Sequence, residues 1–285
     1  MKSILLRSLA TILLFILPFL LGTPLGKHTP YVDTNPFWIY VLIWGMTSVV
    51  IAVAMWWLMR KWQATMANPY IYGFILFLLI CPILGIVGLA APPDLSMTML
   101  EHPEREHFRY ILLLMATIPF GLFSLLVSRS NFLELSKTSR GMMTSLFLIA
   151  FGLFILEFIH HYLYPEGLQT WIDEGKVFED FGKHYDTKAF IIQGAIGRLA
   201  QFFLIIWLSI RLYRMKKVML WAPIVLIFFC LLGIVSAIMM WITEMHPPQG
   251  FEVMFLLFIP GMPFLFLYWL GIAWLTKFNP PATSV

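Results

Sequence analysis

Arg198 is the one basic residue set deep inside an apolar run, in the stretch Gln193-Gly194-Ala195-Ile196-Gly197-Arg198-Leu199-Ala200-Gln201. A guanidinium carries five N–H donors in a planar fork, which suits a carboxylate or another anion. Held in the middle of a lipid-embedded helix it costs about 2.5–3.5 kcal/mol on insertion scales, so it must face the interior of a bundle and be paired or solvated. Its helical neighbours agree: Gly194 four residues before, Gly197 directly before and Gln201 three after form a small and polar strip that lets another helix come close. The acid available to it is Glu157, in the preceding apolar run. Two roles follow from these residue types. One is a Glu157–Arg198 ion pair that fixes helix register without touching a substrate. The other is a substrate-binding set of Arg198, Glu157 and Gln201 in a polar cavity opening outward. A proton relay through Glu157 and His161 is a third, with no second mid-membrane acid to support it.

Glu157 also begins a second pattern, because His160 and His161 follow it at spacings of three and four and so share its helix face. The Glu-x-x-His spacing occurs in carboxylate-bridged metal sites of helical bundles, which need a second copy of the motif, and none is present. With His246 from a later connection these imidazoles define a candidate metal site at the outer face for zinc or copper. Met97 and Met99 near His102, and Met239, Met240 and Met245 near His246, add thioethers suited to copper. The competing reading is plain packing: most of 17 methionines in a lipid-solvated chain fill gaps, and histidine avoids both the hydrocarbon and the basic face. Glu244 and Glu252 fall at an interface where charge is cheap.

The elements that must position these groups are helices in lipid. Of 285 residues 60% are hydrophobic and 12% charged, and mean hydropathy is +0.83, outside the range of ordinary soluble domains. A span needs roughly 20 apolar residues. Such runs occur at 4–22, 37–59, 70–91, 109–128, 142–164, 189–212, 218–242 and 252–276. The expected fold is therefore all-α: a polytopic integral membrane bundle of eight transmembrane helices, the whole of 1–285 being a single transmembrane domain.

Charge sets the sidedness. Lys2 and Arg7, Arg60 and Lys61, Arg129, Lys137 and Arg140, Arg211, Arg214, Lys216 and Lys217, and Lys277 fall in every second connection. The intervening connections carry most of the acids and fewer Lys and Arg, and all seven histidines, His28, His102, His107, His160, His161, His184 and His246, map to that same outer face. By the positive-inside rule both termini are cytoplasmic, and the expected location is a bacterial inner (plasma) membrane. The first run also resembles a signal peptide, whose cleavage would leave seven spans, but no small-x-small site follows it. Trp38, Trp56, Trp57 and Trp241 lie near run ends, as interfacial anchors do. Cys81 and Cys230 sit inside runs as packing residues.

Three landmarks recur in order: Leu84-Gly85-Ile86-Val87-Gly88 against Leu232-Gly233-Ile234-Val235-Ser236, His102-Pro103 against His246-Pro247, and Ile118-Pro119 against Ile259-Pro260. They suggest a parallel four-plus-four repeat with halves 1–140 and 141–285. Pro82, Pro119, Pro260 and Pro263 are expected to kink their spans and free carbonyls. The longest polar connection, 165–188, is expected to hold one short amphipathic helix near Trp171 to Phe181.

Some chemistry is excluded. There is no Walker motif, Gly-x-Ser-x-Gly or His-Glu-x-x-His, and Lys277 lies too near a span end to serve as a retinal lysine. The basic residues follow topology rather than forming a nucleic-acid patch. Three functional classes remain: a transporter or permease subunit for a small solute, anion or metal; a membrane-embedded enzyme with an outer-face Glu/His metal site; and a non-catalytic subunit or assembly factor of a larger membrane complex. The expected partners are the lipid bilayer and other membrane subunits. No motif decides for or against an enzyme.

Overall fold

A computed structural model describes residue 9, residues 11–16, scattered positions from 39 to 53, residue 73, residues 75–90 and residues 97–277. The first two expected spans lie largely outside the described residues, as do His28, the signal-peptide question and the last eight positions. Every described element is a helix. A π-turn, Leu76–Ile80, leads into α1 (Cys81–Ala90), followed by α2 (Pro103–Arg129), α3 (Lys137–Tyr162), α4 (Tyr164–Asp173), α5 (Phe181–Tyr185), α6 (Lys188–Arg214), α7 (Trp221–Ile242), α8 (Val253–Phe258) and α9 (Gly261–Lys277). Among the described residues four helices are long and apolar enough to cross a membrane, namely α2, α3 with its continuation through α4, α6 and α7.

The burial pattern reads the same way. On α7 the exposed residues Ile224, Phe228, Leu231 and Val235 repeat every three or four positions, while Ala222, Cys230, Gly233, Ser236 and Ala237 face inward. Large apolar side chains outside and small ones inside are what a bundle solvated by lipid needs, since small residues let helices approach. The architecture is consistent with a membrane protein.

The centre of the bundle is α9, buried on every face from Pro263 to Leu275, as a helix apolar all round must be. It packs against α1, α6 and α7. Around it Phe77, Phe120, Phe123, Phe147, Phe154, Phe158 and Phe264 form an aromatic core, with Phe77 stacked on Phe123 at 4.4 Å and Phe154 on Phe264 at 5.0 Å between ring centres.

Charge is unequally divided between the ends. Arg211, at the foot of α6, donates to the carbonyls of Leu133 and Glu134 between α2 and α3. The basic residues 129–140 and 211–217 therefore share one end of the bundle. At the other end His107 of α2 pairs with Glu166 of α4 at 2.8 Å, His160 of α3 with Asp186 at 3.0 Å, and Lys188 with Glu244 at 2.6 Å. The connection expected to hold one short helix folds into two, α4 and α5, around Met99, Leu168 and Phe181.

Proline acts differently at each site. Pro119 lies within an unbroken α2, Pro82 follows the π-turn at the start of α1, and Pro263 falls in the first turns of α9, where its missing N–H costs little. Pro260 breaks the run expected as one span, 252–276, into α8 and α9, with Ile259 extended at φ −57° and ψ 139°. Proline disfavours α conformation in the residue before it, which accounts for the break. The two Ile-Pro landmarks are thus built differently. A Phe ring fills the space beside both Gly85 and Gly233, but the rings belong to α9 and α6 respectively.

A Cβ at Gly233 would stand 2.5 Å from Cζ of Phe202, whereas one at Gly152 meets nothing within 4 Å. Gly233→Ala should therefore lower stability by about 1–3 kcal/mol through overpacking, while Gly152→Ala should be neutral or raise it by up to about 1 kcal/mol. Thermal unfolding in detergent reads both.

Candidate functional site

The polar centre of the bundle is Arg198. It lies ten residues into α6, which begins at Lys188, roughly 15 Å down the helix at 1.5 Å per residue. Its side chain is 0% exposed, the largest fully buried side chain among the described residues. The small strip expected beside it does what its composition implies. At Gly197 a Cβ would sit 3.2 Å from Cβ of Leu153, so glycine lets α3 close on α6, and one at Gly194 would sit 3.5 Å from Cζ of Phe258.

Three groups meet the fork. Nη2 donates to the Glu157 carboxylate across from α3, Nη1 to Oε1 of Gln201 at 2.9 Å, and Nε to the carbonyl of Phe258 at 2.7 Å. The last bond joins α6 to the broken helix. In a continuous helix the Phe258 carbonyl would accept from the N–H of Met262, but Ile259 is extended and that N–H bonds the Ile259 carbonyl instead, so Arg198 takes the role. Ser236 of α7 serves the same break, its hydroxyl donating to the Met254 carbonyl at 2.6 Å. The rings of Phe154 and Phe258 lie 5.8 and 5.6 Å from the guanidinium carbon, adding cation–π attraction. Glu157 is 7% exposed and Gln201 1%, and Nε2 of Gln201 has no hydrogen-bond partner among the described residues. The structure thus brings Arg198, Glu157 and Gln201 together.

The histidines do not converge. His160 points its Nε2 to Asp186 and stacks on Phe190, 3.7 Å between ring centres. His161 lies beside His160, 5.4 Å between ring centres, and stacks on Tyr110 at 5.4 Å. His246 is on another connection and places Nδ1 2.7 Å from the carbonyl of Glu244. Among the described residues no group of three or more His, Cys, Asp or Glu side chains could hold a metal ion. The methionines pack: Met99 with Leu168 and Phe181, and Met239 and Met245 against Ala237 and Met240.

Two features escaped the sequence reading. Arg105, Glu106 and Arg109 at the head of α2 are buried rather than solvated, Nη1 of Arg109 donating to both carboxylate oxygens of Glu106 at 2.8 and 2.6 Å. The signal was there: spacings of three and four put these charges on the stripe that continues through Leu113, Ala116 and Phe120. The other is Tyr185, whose hydroxyl donates to the His160 carbonyl at 2.8 Å and ties α5 to the top of α3. Burial, then the charges of Asp186 and Glu166 and the neighbouring Tyr164, push its phenol up to about 12. At the exposed end of the same face, Lys188 holds the Glu244 carboxyl below its ordinary value through a hydrogen bond and its charge.

Comparison of the chain with protein families, curated proteins and solved structures finds no match.

Removing one partner of a buried pair strands the other charge, so Glu157→Leu alone should cost about 3–5 kcal/mol. The double variant Glu157→Leu/Arg198→Met should recover part of that loss. Unfolding in detergent measures both, and an additive double variant would show the pair uncoupled. For Tyr185, a phenol held above its unfolded value of 10.0 stabilises the fold below that pH and loses its contribution as pH rises through about 12. Wild type should therefore lose stability relative to Tyr185→Phe across that alkaline window, read as melting temperature against pH.

Proposed function

We propose that the protein is a permease, or the permease subunit of a larger membrane assembly, for a small anionic solute, with Arg198 as the solute's contact. One observation carries this reading: a fully buried guanidinium stands at the break of a discontinuous helix and bonds the carbonyl that the break frees. Ionisable groups at this depth are costly and mark pathways or sites, and broken helices near mid-bilayer are a common way of building them.

In this reading Glu157 is the resident counter-anion. A solute carboxylate or inorganic anion takes its place on the Arg198 fork, and the amide nitrogen of Gln201 supplies another donor. Withdrawal of Arg198 from Phe258 then frees the Ile259–Pro260 joint to turn. Eight spans with cytoplasmic termini in a bacterial inner membrane belong to the same proposal. They are supported by the basic residues gathered at one end of the described bundle and the acidic and histidine residues at the other.

A second reading draws on the completeness of the Arg198 contacts: Glu157–Arg198 is a pin that sets helix register in a non-catalytic subunit. Purified protein reconstituted into liposomes separates the two. Uptake of labelled carboxylates or inorganic anions above empty liposomes is expected, falling at least tenfold in Arg198→Gln and in Arg198→Lys, which keeps the charge but loses the fork. Wild-type uptake equal to that of empty liposomes, with a membrane protein co-purifying, would favour the pin.

A further inference from the structure

At the basic end of the bundle a groove of about 220 Å³ runs along Thr11, Ile12, Phe15 and Ile16 and is closed by Trp221 at the start of α7. Its floor is firmly held. The Phe15 ring lies flat on Trp269 of the central helix at 4.5 Å and meets Trp221 edge-on at 5.7 Å. The carbonyl of Leu14 accepts the buried hydroxyl of Tyr268 at 2.9 Å. Ile12 and Ile16 are exposed on the outer side of the bundle, where lipid tails lie.

The turn before Trp221 supplies charge at the level of this groove. Arg214 ends α6, Lys216 and Lys217 follow, and all three are exposed. The turn has a set shape: Lys216 adopts φ 58°, its N–H bonds the Tyr213 carbonyl at 2.8 Å, and the N–H of Lys217 bonds that of Leu212 at 2.8 Å. Val218, buried next in the chain, anchors it. Three cations are thus presented on a fixed turn within a few residues of an apolar slot walled by tryptophan, the residue that favours the level of lipid headgroups.

We propose that groove and turn together bind one anionic glycerophospholipid per chain. An acyl chain lies along Ile12, Phe15, Ile16 and Trp221, and the phosphate rests on Arg214, Lys216 and Lys217. The ligand is a lipid rather than a free anion because the slot is apolar and faces the hydrocarbon. It is anionic because three cations meet the headgroup and would repel the ammonium of a zwitterionic one. This inference does not depend on the transport reading.

Native mass spectrometry of the full chain in mixed micelles tests it, with phosphatidylglycerol and phosphatidylcholine offered at equal concentration. One retained phosphatidylglycerol per chain is expected, at least tenfold in excess over phosphatidylcholine. Its retention should fall at least tenfold in Arg214→Gln/Lys216→Gln/Lys217→Gln and, separately, in Ile12→Trp, which fills the groove at an exposed position. Circular dichroism melting checks that both variants keep the fold. Equal retention of the two lipids would overturn the proposal, as would loss in the triple variant with none in Ile12→Trp, since the turn would then act as surface charge alone. Displacement of the lipid by millimolar inorganic phosphate, or a second copy of the chain bound in its place, would also overturn it.

Discussion

A guanidinium sealed away from water must be given partners by the protein itself, and Arg198 takes them from three directions. The Glu157 carboxylate comes from α3, the Gln201 amide from its own helix, and the Phe258 carbonyl from the end of α8. Each bond relieves a cost on both sides. Arg198 and Glu157 neutralise one another where neither could remain charged alone, and the Phe258 carbonyl gains the donor that a continuous helix would have supplied from Met262. One side chain thereby fixes the spacing of two long helices and the place at which a third is interrupted.

The rest of the packing follows from that fixed point. Glycine at 197 lets α3 come near enough to pair without a tight side-chain contact, and Gly194 leaves the ring of Phe258 its place beside the fork. The interruption lets α9 turn inward as a separate helix, buried from Pro263 to Leu275 and wrapped by phenylalanine rings. At the histidine-bearing end, α4 and α5 close over α2 and α3 through His107–Glu166, His160–Asp186 and the Tyr185 hydroxyl. A polar centre, an aromatic middle and a lipid-facing exterior are then three layers of one arrangement, each set by the solvent it meets.

Much of this was legible in the sequence, and the failures have physical causes. Arg198, Glu157 and Gln201 were identifiable because a charge inside an apolar run can be stable only beside its complement, and periodicity named the helix face on which that complement must sit. Four of the expected spans are seen as continuous crossing-length helices because length and hydropathy specify them directly. Pro260 stands out as a disturbance, but whether a proline sits within an unbroken helix, as at Pro119, or marks its end depends on who bonds the carbonyl that a break frees. That donor, Arg198, is sixty residues away. Sidedness puts the histidines at one end of the bundle, whereas a metal site needs several ligands around one point: His160 and His161 are neighbours at 5.4 Å, but His160 is taken up by Asp186 and His246 sits on another connection. The charges of α2 were under-read, because interfacial position hid the periodicity that buries them.

Arg198 is closed on Glu157 and on the Phe258 carbonyl at the break between α8 and α9. Solid-state NMR on protein labelled at arginine, glutamate and phenylalanine, in lipid bilayers, measures this through dipolar couplings from the Arg198 side chain. Strong couplings are expected from its guanidinium nitrogens to the Glu157 carboxyl carbon and from Nε to the Phe258 carbonyl carbon, at distances within about 4 Å, the limit for an ion pair. Couplings to water protons in place of both would contradict this closure.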